Sequence, residues 1–96
     1  MWVLLVTSPP SDQALSDYDK LCKIYEEVLN TTYSPEMIGI QLSERIQKDL
    51  PGVYVHFENI MNADPKDAYR LFKEIAEKET HKDWDCDVMK NFYSKH

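Results

Sequence analysis

The chain is poor in glycine, cysteine and basic residues, and each shortage removes a class of function. Gly39 and Gly52 are the only glycines among 96 residues. A loop that cradles phosphate needs several glycines at fixed spacing, so P-loop and dinucleotide-binding motifs are excluded. Collagen-like, low-complexity and repeat architectures are excluded with them. No apolar run approaches the eighteen or so residues that a membrane-crossing helix needs. Lys and Arg number 11 against 17 Asp and Glu, a formal net charge of −6. That deficit disfavours direct binding to nucleic acid, whose phosphates call for cations. It equally disfavours an anionic membrane surface.

The two cysteines, Cys22 and Cys86, lie far apart, whereas small disulfide-dependent domains usually carry more at closer spacing. They read as two reduced thiols. Met1–Val6 is apolar but short, lacks a basic start and runs into Pro9-Pro10, so no signal peptide is expected. The expected location is the cytoplasm, or the host-cell cytoplasm if the protein is phage-encoded.

What the chain does have is enough apolar material, 43% of residues with 11% aromatic, for one core. A single domain over residues 1–96 is expected, with 94–96 as a frayed tail. Trp2–Thr7 is a continuous run of strand formers, ended by Ser8-Pro9-Pro10-Ser11. From Asp12 to Asn30, Ala14, Leu15, Tyr18, Leu21, Cys22, Tyr25, Val28 and Leu29 form a helical stripe with Ser11 as N-cap. Ser34-Pro35-Glu36 is a helix start, with Ile38, Leu42, Ile46 and Leu50 repeating every fourth residue. Ile38, Ile40 and Leu42 also alternate, so Met37–Leu42 could instead be a strand. Val53–Glu58 alternates Val, Val and Phe with Tyr, His and Glu and reads as a strand, followed by a loop over Asn59–Ala63. Asp64-Pro65 opens a further helix to about Glu79–His81, and Trp84, Val88, Met89, Phe92 and Tyr93 predict a last one over Asp83–Tyr93.

The expected fold is therefore α-rich α/β, in the order β-α-α-β-α-α, with a short two- or three-stranded sheet packed by about four helices. Two strands alone make a marginal sheet. A homodimer completed through a sheet edge is the corresponding expectation.

Several groups of residues are candidates for chemistry. Asp83, Asp85 and Asp87 alternate as at the start of a calcium loop, but Val88 and Ser94 stand where that loop needs Gly and Glu. An acidic first helical turn explains them equally well. His81 and Cys86 lack the paired spacing of a zinc site. No metal and no cofactor is expected. His56 and Glu58, with Tyr54 on the same strand face, form the one candidate acid–base site, since a carboxylate can tune an imidazole. Leu50–Asp64, above all Val53–Phe57 with Met61-Asn62-Ala63 behind it, resembles the helix-to-strand junction of the tautomerase superfamily. That family's general base is an N-terminal proline, and Trp2 occupies the position here, so no activity carries over.

Acidity is concentrated early. Residues 1–63 hold nine acids and four bases, and residues 64–96 eight acids and seven bases. The polar face of the first helix, with Asp12, Asp17, Asp19, Glu26 and Glu27, is the candidate partner-binding surface. The expected function is a small acidic, non-catalytic protein-binding module. It would act as an inhibitor or antagonist of the phage anti-defence or toxin-immunity type, presenting carboxylates to a basic, nucleic-acid-binding partner protein. The alternatives are a structural or regulatory subunit of a larger assembly and a small oligomeric enzyme with an interface acid–base site.

Overall fold

Three proline-led starts, at Pro35, Pro51 and Pro65, organise the middle of the chain. The computed structural model describes the backbone of residues 10–94 and the side chains of residues 17–94. Five helices are found there: α1 (Pro10–Leu29), α2 (Pro35–Asp49), α3 (Pro51–Met61), α4 (Ala68–Thr80) and α5 (Asp87–Tyr93), with a 3-10 turn at Pro65–Asp67 before α4. Pro35, Pro51 and Pro65 each sit at a helix start, where no backbone N–H is needed. Ser34 caps α2 by accepting the Met37 N–H at 3.3 Å. Asp64 does the same for the 3-10 turn, accepting the Lys66 N–H at 3.2 Å.

No strand occurs among the described residues, which corrects the α/β expectation to an all-α fold. The Trp2–Thr7 strand lies outside the described residues. The Val53–Glu58 strand is helix α3. Its apolar face in the strand reading was Val53, Val55 and Phe57. In the helix Val53, Phe57 and Ile60 are buried at a spacing of four and three, while Val55 is turned outward at 57% exposure. Leu50 alone makes the corner between α2 and α3. Its N–H donates to the Ile46 carbonyl at 2.8 Å, and its own carbonyl accepts the N–H groups of Val53 and Tyr54. The helix-to-strand junction resembling the tautomerases is thus a helix-to-helix corner. Met37–Leu42 is helical throughout, and no sheet edge is present among the described residues to pair two copies.

The amphipathic stripes pack as their spacing predicts. α1 lies against α2, α4 and α5; α3 bridges α2 and α4. Tyr18, Leu21, Tyr25 and Val28 of α1 are buried, as is Ile24, which the stripe read from the sequence left out. They meet Leu42 and Ile46 of α2, Ala68, Phe72 and Ala76 of α4, and Met89 and Tyr93 of α5. α1 begins at Pro10, so Ser11 is inside the helix rather than its cap.

The last helix starts at Asp87, four residues later than expected. Residues 83–86 are drawn out because α4 captures their backbone groups. Lys73 Nζ donates to the Trp84 carbonyl at 2.7 Å, the Trp84 N–H donates to Glu77 Oε2 at 3.1 Å, and the Cys86 N–H donates to the Tyr69 hydroxyl at 3.1 Å. Side chains thus satisfy groups that a helix would otherwise pair. The Trp84 ring packs edge-on to Tyr18 and face to face with Tyr69. Cys86, held at the head of α5, is disulfide-bonded to Cys22 in the middle of α1. The expectation of two reduced thiols is corrected accordingly.

Candidate functional site

Helical geometry redistributes the residues singled out from the sequence. On a helix, residues two apart point about 200° from one another rather than the same way. His56 and Glu58 therefore leave α3 on opposite flanks. His56 faces α4, where Nε2 lies 3.0 Å from Glu79 Oε2. The Tyr18 hydroxyl, buried on α1, approaches the same carboxylate without a well-formed hydrogen bond. Burial, and then the Glu79 charge, hold that phenol protonated far above its ordinary range. His56 and Glu79 form a half-exposed ion pair joining α3 to α4, worth at most about 1 kcal/mol when the imidazole is charged. Tyr54 is on the other flank, 3.4 Å from the Ser43 hydroxyl of α2. Tyr54, His56 and Glu58 do not converge.

The acidic face of α1 is also divided. Asp19 and Glu26 are exposed on its outer side, and Asp17 is half-buried. Glu27 turns toward α2 and pairs with Arg45 at 2.7 Å. Asp12 belongs to α1, with its side chain outside the described set. The structure does not gather Asp83, Asp85 and Asp87: no group of three or more potential metal ligands occurs among the described residues. Asp85 is instead held 3.1 Å from Lys73, and that ammonium keeps its carboxyl below the ordinary carboxylate range.

The feature that sequence reading missed is a groove of about 570 Å³ between α2 and α3, closed at one end by the 3-10 turn and α5. Tyr54, Phe57, Glu58 and Met61 line it from α3, and Pro35, Gly39, Leu42 and Ser43 from α2. The side chains from α3 recur at i, i+3, i+4 and i+7, one stripe of a helix. Pro65, Phe92 and Tyr93 complete the apolar wall. Polar groups sit among them: the hydroxyls of Ser43 and Tyr54, the Asn62 amide and the Glu58 carboxylate. Glu58 is the one charged residue in the lining among the described residues. Met61 is exposed to 42% there. The signal was present in the sequence, since Tyr54, Phe57 and Met61 hold helical spacing, but the strand assignment placed Tyr54 and Phe57 on opposite faces and left Met61 in a loop.

No helix of the described chain is long and apolar enough to cross a membrane. No family model, curated protein or solved structure matches this chain.

Proposed function

We propose that the protein is a non-catalytic protein-binding module that receives an apolar helical segment, flanked by basic residues, of a partner protein in the α2–α3 groove. The groove itself carries this reading. Among the described residues its walls are apolar, its polar groups are few, and the single charge in its lining is a carboxylate. Met61, exposed to 42%, and the half-buried Tyr54 and Phe92 present apolar surface at a concave site, as interaction sites do. The thioether of Met61 adapts to varied side chains. An amphipathic helix laid into such a groove would bury its apolar face against Tyr54, Met61 and Phe92, which keep accessible surface there. Lys or Arg beside that face would meet Glu58.

The net charge of −6 supports a partner with a basic surface, because complementary charge speeds encounter and disfavours wrong partners. Asp19 and Glu26 contribute to that field from the outer side of α1 without lining the groove. An antagonist's action, occupying a basic segment that otherwise contacts nucleic acid, fits this chemistry. The Cys22–Cys86 disulfide supports an oxidising compartment over the cytoplasm as the place where it acts.

Selection from a displayed peptide library tests the proposal. Enriched peptides should carry apolar residues at helical spacing with Lys or Arg beside them. Their binding should be lost in Met61→Glu and weakened in Glu58→Lys, both exposed substitutions that leave the thermal transition in place. Selected peptides that bind Met61→Glu as well as the parent would overturn it.

A further inference from the structure

The four basic residues of the first two-thirds of the chain are gathered in one place. Lys20 and Lys23 of α1 and Arg45 and Lys48 of α2 line a second groove, of about 500 Å³, on the flank where these helices pack together. Ile24 is also in its lining and is buried. The short connection at residues 30–34 folds α2 back along α1, which is how cations some 25 positions apart come to share a wall.

The groove holds four cations and two carboxylates, Glu27 and Asp49, a local excess of positive charge in a protein of net charge −6. Glu27 is engaged by Arg45 at 2.7 Å. Lys20, Lys23 and Lys48 make no ion pair among the described residues, although the chain has 17 carboxylates to 11 cations. Asp49 also makes none among them, so the groove is not neutralised from within. Holding like charges together is unfavourable unless a counter-charge enters. Glu27 contacts one guanidinium nitrogen of Arg45, which leaves the rest of the planar fork open to an oxyanion. The ammonium groups of the three lysines would add point charges around it.

We propose that the α1–α2 groove binds a small oxyanion of charge −2 or more, of the phosphate or sulfate class. The site is separate from the α2–α3 groove and does not depend on the function assigned there.

The test is an amide NMR titration of the intact, oxidised protein with pyrophosphate, inorganic phosphate and sulfate. The expected result is saturable shifts confined to residues 20–27 and 41–49. Affinity should fall about tenfold in the double variant Lys20→Gln/Lys48→Gln, and tighten severalfold in Asp49→Asn, which removes an opposing charge. The control Lys78→Gln/Lys82→Gln, the same charge change at the end of α4, should bind as the parent does. Sulfate and phosphate are told apart by acidification. Phosphate and pyrophosphate lose charge and affinity as pH falls below neutrality, whereas sulfate keeps both. Shifts that never saturate, or an equal loss in the control, would show only a charged surface and overturn the proposal. Failure of Asp49→Asn to tighten binding would also count against it. A Met61→Glu background should leave the titration unchanged, which separates this site from the first.

Discussion

Cys22 and Cys86 are bonded across a sequence separation of 64, with their Cα atoms 5.8 Å apart. The bond joins the middle of α1 to the residue that opens α5, so it fixes the last helix on the first. Closing a loop of that length in the unfolded chain is worth about 4 kcal/mol at most by loop-closure entropy. Stability for a domain of this size is typically about 5–15 kcal/mol. Cys22→Ala/Cys86→Ala should therefore lower the unfolding free energy by about 2–4 kcal/mol in urea titration. Reduction of the parent protein should produce a comparable loss. A midpoint indifferent to reductant would show that the bond contributes nothing to the fold.

Lys73 holds the segment before α5 through two contacts, to Asp85 at 3.1 Å and to the Trp84 carbonyl at 2.7 Å, and pairs within α4 with Glu77 at 2.8 Å. Hydrogen bonding to Lys73 keeps the Glu77 and Asp85 carboxyls below their ordinary range. Because both folded values are lowered, the stabilisation is complete above the ordinary carboxylate pKa of about 4 and is lost as pH falls through the lowered values. Hydrogen bonding to Glu77, and then to Asp85, raises the Lys73 ammonium. That contribution is complete below the ordinary lysine value of about 10.4 and is lost as pH rises through the raised one. In an acid titration followed by the Trp84 amide resonance, the midpoint should lie below pH 4 or so, and Lys73→Met should move it up toward ordinary carboxylate values. An unmoved midpoint would remove Lys73 as the cause.

The Tyr25 and Tyr93 hydroxyls bond to one another inside the core. Tyr93→Phe should orphan the Tyr25 hydroxyl, which is fully buried, at a cost of about 1–3 kcal/mol. The double variant with Tyr25→Phe should cost less than the sum of the two single changes, since the apolar pair leaves no orphan from this bond. The same pair should sensitise the fold to alkali. Burial, as the leading cause, pushes the Tyr93 hydroxyl up to about 12 and Tyr25 well above its ordinary value. Groups raised on folding stabilise fully below their unfolded value of about 10 and lose that contribution as pH rises further. The urea midpoint should hold up to about pH 9 and fall above pH 10, less steeply in the double variant.

The helical parts of the fold were legible wherever a stripe was long. Tyr18, Leu21, Tyr25 and Val28 repeat over more than two turns, and Pro35 and Pro65 mark starts that the structure keeps. α3 was not legible because six residues, Val53–Glu58, satisfy period two, and Ile60 and Met61, which complete the helical pattern, were assigned to a loop. The strand reading began at Val53, whereas Pro51 is the first helical residue of α3. The disulfide and the late start of α5 are tertiary effects. Cys22 looks like any stripe residue, and only the capture of the Trp84 and Cys86 backbone by Lys73, Glu77 and Tyr69 brings Cys86 to it. The α1–α2 basic groove was equally hidden, since Lys20 and Lys48 meet only once the helices pair.

Gly39 separates the stability of α2 from the use of its groove. A methyl added there meets no atom within 4 Å, and the residue lies in the helix without a positive φ. In the interior of a helix Gly is about 1 kcal/mol less favourable than Ala, because it loses more backbone freedom on folding. Gly39→Ala should therefore raise Tm by about 4–8 °C with the core unchanged. Yet Gly39 lines the α2–α3 groove, so the new methyl occupies space intended for a ligand side chain. A more stable protein that binds selected peptides several times more weakly is the expected outcome. Gly52→Ala provides the contrast. It also adds a methyl into open space, in the first turn of α3 and outside the groove lining, and should leave peptide binding as it was. Weakening by both substitutions alike would indicate a change transmitted through the helices. Weakening by neither would show that the α2 wall takes no part in recognition.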